Sequence, residues 1–134
     1  MNHQYFTSLP ASYLHFYNNP TYSALYIIES THSITSFTLY GYCLMANHFH
    51  LLIREREETI GNIVKRIASS YVYYYNHKYL RNGHLFKERF KSEPVNDISY
   101  FTTLLRYIHQ NPVKAGIVKE VKDYEYSSWG EYTG

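Results

Sequence analysis

Tyr42-Cys43-Leu44-Met45-Ala46-Asn47-His48-Phe49-His50-Leu51-Leu52-Ile53 is an apolar run broken by two histidines one residue apart. Strand side chains alternate between faces, so His48 and His50 point one way and Phe49 the other. A strand with such a polar spot can hold a metal ion. Two structural histidines satisfied by hydrogen bonds are the competing reading. Working outward, Ile34 to Tyr42 is rich in β-branched and aromatic residues and predicts a strand before the run. Asn47 marks a bend, and His48 to Ile53 forms the next strand.

The charged segment 54–58 reads as a loop, and Thr59 or Gly61 opens a helix. Ile60, Ile63, Val64, Ile67, Tyr71, Tyr74 and Tyr75 recur at three- and four-residue spacing, which gives one long amphipathic helix. Arg81-Asn82-Gly83 is a turn, and the later part of Leu85 to Val95 reads as a strand closed by Pro94. Asn96 or Asp97 caps a further helix with Ile98, Phe101, Leu104, Leu105 and Ile108 on its apolar face, ended by Asn111-Pro112, and a short helix or turn follows around Val113-Lys114-Ala115, stopped by Gly116. Residues 1–20 read as irregular, with a helix expected from Pro20. The order helix, strand, strand, helix, strand, helix predicts an α+β fold: an antiparallel sheet with helices on one side. A ferredoxin-like sheet needs one more strand ahead of the first helix, and residues 1–20 offer no obvious candidate for it. The tail from Asp123 is expected to lie across the surface.

The 134 residues, 45% hydrophobic and 18% charged, suit one domain with a real core and exclude a disordered chain. No run of apolar residues is long enough for a transmembrane helix, and the N-terminus lacks a signal-peptide pattern. No membrane association is therefore expected. The single Cys43 cannot form an internal disulfide, which favours a reducing compartment, and its setting suggests a buried thiol rather than a nucleophile. The net charge is only +2, yet residues 1–53 contain no lysine or arginine. Residues 65–91 carry Lys65, Arg66, Lys78, Arg81, Lys87, Arg89 and Lys91 against Glu88 alone. That surplus is either a phosphate-backbone surface or a solvated charged face.

Tyr107 and Asn111 are four residues apart and share a helical face. Asn111 offers an amide oxygen to a hard divalent ion, and Tyr107 offers a phenolic oxygen to phosphorus. Leu104 and Ile108 point into the core. His109 lies off the Tyr107 face and reads as a surface or substrate-contact residue. Tyr71, Tyr73, Tyr74, Tyr75 and Tyr79 on the preceding helix compete as nucleophiles, but none of them has an Asn111 one turn away.

The segment Tyr42 to Ile53 resembles the His-hydrophobe-His (HUH) strand of the small Y1 tyrosine transposases, the IS200-like family. The resemblance extends through Gly83-His-Leu-Phe-Lys-Glu-Arg-Phe-Lys-Ser92 and Leu105-Arg-Tyr-Ile-His-Gln-Asn-Pro-Val-Lys-Ala-Gly-Ile-Val118. It is strongest to the relatives associated with repetitive extragenic palindromes. The resemblance implies a DNA transposase that cleaves and rejoins single-stranded DNA with an adjoining hairpin. It makes Tyr107 the nucleophile that forms a 5′-phosphotyrosine link. It assigns His48, His50 and Asn111 to a Mg2+ or Mn2+ ion. Arg81, Lys87, Arg89 and Lys91 read as residues that contact DNA phosphates or brace the sheet edge, Arg89 first among them because its segment matches the family, and His109 joins them as a DNA-contact candidate. A homodimer is compatible with the resemblance, and a prokaryotic, cytoplasmic, nucleoid-associated location follows from it.

Family members open with a strand that residues 1–20 do not evidently supply. The expectation is a single IS200-like domain over 1–134, truncated at both ends, in a ferredoxin-like sheet lacking its first strand. A catalytically inactive, domesticated or truncated DNA-binding relative is the alternative that this departure motivates.

Overall fold

The computed structural model describes residues 4–10, 37–45, 48–78, 80, 82 and 90–133. In chain order the elements are β1 (Gln4–Pro10), β2 (Phe37–Leu44), β3 (His48–Glu55), α1 (Ile60–Lys78), β4 (Lys91–Pro94), α2 (Ile98–Lys114), a 3-10 turn (Val121–Asp123) and α3 (Trp129–Thr133). The apolar run that decides the fold becomes a hairpin. β2 and β3 pair antiparallel, and the Met45 N–H donates to the His48 carbonyl at 2.8 Å where the chain turns. The helix expected from Pro20 and the bend at Asn47 lie outside the described residues.

The first strand is present, contrary to the expectation from residues 1–20. β1 lies at the centre of a four-stranded antiparallel sheet of order β2-β3-β1-β4, the order of a ferredoxin-like sheet. Its seven residues escape pattern reading because Gln4, Thr7 and Ser8 dilute the apolar signal and Pro10 closes the segment at once. Pairing on both sides places β1 in the sheet regardless: Thr7 is fully buried, and its hydroxyl donates to Ser92 Oγ across the sheet.

Alternation along β3 divides the core. Phe49, Leu51 and Ile53 meet Ile63, Val64, Ile67 and Tyr71 of α1 on one face. Leu52, with Cys43 and Met45, meets Leu104 and Ile108 of α2 on the other. The two long helices therefore take opposite faces, rather than one side as the sequence reading had them. Gly41 on β2 leaves the space that the end of Leu105 of α2 fills: a Cβ there would stand 2.6 Å from Leu105 Cδ1, and that methyl would have to turn aside. A one-residue bulge between Leu39 and Gly41 gives Tyr40 room to pack edge-on against Phe101.

The tail does more than cross the surface. The Leu44 N–H donates to Tyr126 O at 2.9 Å, and the Ser128 N–H to Tyr42 O at 3.0 Å. With the Cys43–Ser127 bridge these bonds cover the outer edge of β2.

α2 starts at the expected cap, where the Asp97 carboxylate accepts the Tyr100 N–H at 2.8 Å. It does not stop at Asn111-Pro112. Pro112 is buried within the last turns, and the helix runs on to Lys114. Proline lacks the N–H that would bond the Ile108 carbonyl, so the helix gives up that ladder bond and still continues. The end is closed instead by Gly116 N–H to Val113 O and Ile117 N–H to Pro112 O, each 3.0 Å, with Gly116 at φ 76°. This is a Schellman closure, and the positive φ explains why glycine stands there. Among the described residues, no helix is long and apolar enough to cross a membrane.

Candidate active site at the histidine pair

His48 and His50 lie on the α2 face of β3, the face that also carries Leu52. Their Nε2 atoms approach to 3.1 Å, with the ring planes at 74°. In β-strand register Ser8 sits directly opposite His50 on one side and Cys43 on the other. From α2, the Asn111 amide reaches His50 Nε2 at 3.2 Å. The Tyr107 ring, one turn earlier, stands edge-on to His50 with centroids 5.8 Å apart. The sheet and α2 thus bring together the four residues that the sequence reading assigned to the metal and the nucleophile.

Burial sets the charge state of the pair. His50 is only 7% exposed, and desolvation together with the charge of His48 lowers its pKa to about 4. His48 is lowered as well, by desolvation. Both rings are therefore neutral at neutral pH, the form in which imidazole donates a lone pair. Two nitrogens 3.1 Å apart also suit one small ion, since adjacent ligands at octahedral bond lengths lie about 3.0 Å apart. Among the described residues no three His, Cys, Asp or Glu side chains converge. The Asn111 amide is the next polar group at the pair, and its two ends are nearly isosteric, so its oxygen can take the place of its nitrogen. Two imidazoles and an amide fall short of the four ligands of a structural zinc site, and an amide oxygen is a ligand for a hard ion.

Two residues at the site were not foreseen. Phe6 stacks on His50 at 5.4 Å and 19°, and meets Tyr107 edge-on at 6.1 Å. It was missed because residues 1–20 were read as irregular chain. Lys114 places its ammonium 5.5 Å from the centre of the Tyr107 ring. It was missed because the helix was expected to end at Pro112. The spacing 107, 111, 114 was itself a usable signal, being one helical face at i, i+4 and i+7.

The proposed DNA contacts divide. Lys91 is exposed at the start of β4, opposite Ser8, which is itself opposite His50. Cross-strand partners share a face, so Lys91 lies on the site's side of the sheet. Arg81, Lys87 and Arg89 lie outside the described residues. His109 does not stand at the surface as expected. It is 4% exposed, bonds Ser128 Oγ at 2.8 Å and packs against Trp129 and Tyr132. The reason is helical geometry: His109 follows Ile108 around α2 towards the tail that covers β2.

The competing tyrosines fare differently from Tyr107. Tyr71 is buried against the opposite face of the sheet, and Tyr73 is exposed on α1, stacked on His77. The side chains of Tyr74, Tyr75 and Tyr79 lie outside the described residues. Cys43 is a buried thiol, as expected. Desolvation pushes its pKa up to about 12, so it is no nucleophile at neutral pH.

The chain is similar to known proteins. A family model described as transposase IS200 like matches residues 14–111. A curated protein of Haemophilus influenzae, provisionally assigned as a REP-associated tyrosine transposase, is 30% identical over 99 residues. That match covers 65% of this chain and 56% of the relative, so the chain spans somewhat over half that protein's length. A solved REP-associated tyrosine transposase bound to a REP hairpin superposes with a TM-score of 0.81 at 17% identity, covering 96% of this chain and 78% of that one. A provisionally assigned transposase from Deinococcus radiodurans superposes at 0.59 with 13% identity, covering 82% of this chain and 91% of the other.

Proposed function

The chain belongs to the IS200-like transposase family, and on that premise we propose that it cleaves and rejoins single-stranded DNA through Tyr107. The observation that carries this reading is the convergence of Tyr107, His50 and Asn111, from two separate elements, on one side of the sheet. Tyr107 is 38% exposed, so its hydroxyl can meet a substrate, whereas its ring is held by Phe6 and His50.

The reaction is a phosphodiester exchange. Tyr107 Oη bonds to phosphorus as the bond from phosphorus to the 3′-oxygen breaks. The phenolic proton passes to solvent and the 3′-oxygen takes one up, leaving a free 3′-hydroxyl and a 5′-phosphotyrosine. Attack by a 3′-hydroxyl reverses the step and joins DNA without an external energy source. His48, His50 and Asn111 would hold a divalent ion, Mg2+ or Mn2+, which when bound polarises the scissile phosphate. The protein's own part is positional. Stacking on Phe6 sets the plane of His50, and α2 holds Tyr107 and Asn111 one turn apart. The proposed substrate is single-stranded DNA beside a hairpin; the similar solved structure is bound to a REP hairpin.

A non-catalytic reading was motivated by a missing first strand, and β1 removes that motive. The test is incubation of the pure protein with labelled single-stranded hairpin oligonucleotides and Mn2+. A covalent protein–DNA adduct that is lost in Tyr107→Phe is the expected result. An adduct that survives in Tyr107→Phe removes Tyr107 from the role, and no adduct with any hairpin removes the reaction.

A further inference from the structure

The last turn of α2 supplies one more group to this site. Lys114 is seven residues beyond Tyr107 and three beyond Asn111, on the same helical face. Its ammonium stands 5.5 Å from the centre of the Tyr107 ring. The two ion pairs among the described residues are Arg66–Glu58 and Lys122–Glu120, so no described carboxylate neutralises Lys114. The Schellman closure at Gly116 fixes where the helix ends and therefore keeps Lys114 within the helix rather than in a loop.

An exposed lysine at a helix C-terminus has an ordinary role, which is to offset the helix dipole. That role does not require an aromatic ring beneath the ammonium, nor a ring that belongs to the residue facing the histidine pair. A cation without an acidic partner, held beside a hydroxyl that attacks phosphorus, is placed to meet phosphate oxygens.

We propose that Lys114 is a phosphate-contacting residue of this site, its ammonium neutralising the non-bridging oxygens of the phosphodiester that Tyr107 attacks. The proposal rests on the transesterification reading above. The phosphorus bonded to Tyr107 Oη sits at the rim of the ring that Lys114 already overhangs, within the sweep of a four-carbon side chain. Lys114 takes no proton in the exchange. It offsets negative charge both on the substrate linkage and on the phosphotyrosine diester. Lys91, on the same side of the sheet but two strands away from His50, would meet the strand at a different phosphate.

Two measurements on the full chain decide it. The first is the salt dependence of oligothymidylate binding for wild type, Lys114→Gln, Lys114→Arg and a Lys122→Gln control. Loss of one phosphate contact lowers the slope of log K against log salt by about 0.7. Lys114→Gln should show that drop, Lys114→Arg should restore the slope, and Lys122→Gln should leave it unchanged. An unchanged slope in Lys114→Gln overturns the proposal.

The second uses whichever hairpin oligonucleotide forms the adduct. Lys114→Gln should slow adduct formation at saturating DNA by roughly tenfold or more. The loss should disappear when the cleaved linkage is a neutral methylphosphonate, because no anionic oxygen is left to neutralise. Equal slowing on both substrates means that Lys114 acts only through the helix, and overturns the assignment. If wild type forms no adduct at all, the reaction itself fails, and the salt slope still decides whether Lys114 meets phosphate.

Discussion

Acidification should destabilise this fold through His50 in particular. Its pKa falls from 6.5 in the open chain to about 4 in the folded protein, because burial and the neighbouring His48 both disfavour the charged ring. Above pH 6.5 the ring is neutral in both states and adds no pH dependence. As the pH drops below 6.5 the unfolded chain takes up a proton that the folded chain refuses, so stability is lost continuously until the folded ring also protonates near pH 4. The difference amounts to about 3 kcal/mol across that window, at about 1.4 kcal/mol per pH unit. His50 is nearly inaccessible to solvent, so screening takes little from this figure. Urea unfolding of wild type and His50→Gln through the window measures it. Wild type should lose about 3 kcal/mol more than His50→Gln between the two ends. Parallel curves would refute the reasoning, as would an imidazole NMR titration of the metal-free protein with the His50 midpoint near 6.5. The same neutrality should let Mn2+ compete well at mildly acidic pH, where a ring of ordinary pKa is about nine-tenths protonated one unit below its midpoint.

Other substitutions probe the support around the site. Phe6→Leu removes the ring that stacks on His50 while keeping apolar bulk; Mn2+ affinity by calorimetric titration should fall by about tenfold, and an unchanged affinity would show that the stack does not orient His50. Asn111→Ala should weaken Mn2+ binding, whereas Asn111→Asp should keep or strengthen it, and equal losses in both would argue against an oxygen ligand at this position. Ser128→Ala strands the buried Tyr42 N–H and His109 Nε2 together, and urea unfolding should show a loss of about 2 kcal/mol. Cys43 should resist iodoacetamide in the native protein and react only once denaturant opens the core; rapid native labelling would contradict its burial.

The hairpin and its polar spot were legible because period-two alternation is unambiguous when one face is apolar and the other carries histidine. The pairing of Tyr107 with Asn111 was legible from the 3.6-residue helical repeat. What failed shares a cause. β1 has too few apolar residues to announce itself, and its identity is imposed by neighbours that lie about fifty and ninety residues away in sequence. Pro112 is a strong local stop signal, yet the helix runs two residues past it and so includes Lys114. His109 was placed by its helical face alone, and only the tail folding back over β2 turns that face into an interior. Local rules read the elements well; long-range contacts decided which residues became neighbours.

The central position of β1 also sets a timetable for the newborn chain. Gln4 to Pro10 leave the ribosome before the other three strands, yet β1 has no hairpin neighbour of its own. Its first partner, β3, ends at Glu55, and its second, β4, begins only at Lys91. At typical elongation rates that second partner follows on the order of ten seconds later. Until then one side of β1 is an open template for any passing strand, and the outer edge of β2 stays bare until Ser127 and Ser128 are made. The active face is finished only when α2 has been synthesised, so a nascent fragment would hold the histidine strand long before it held the tyrosine helix.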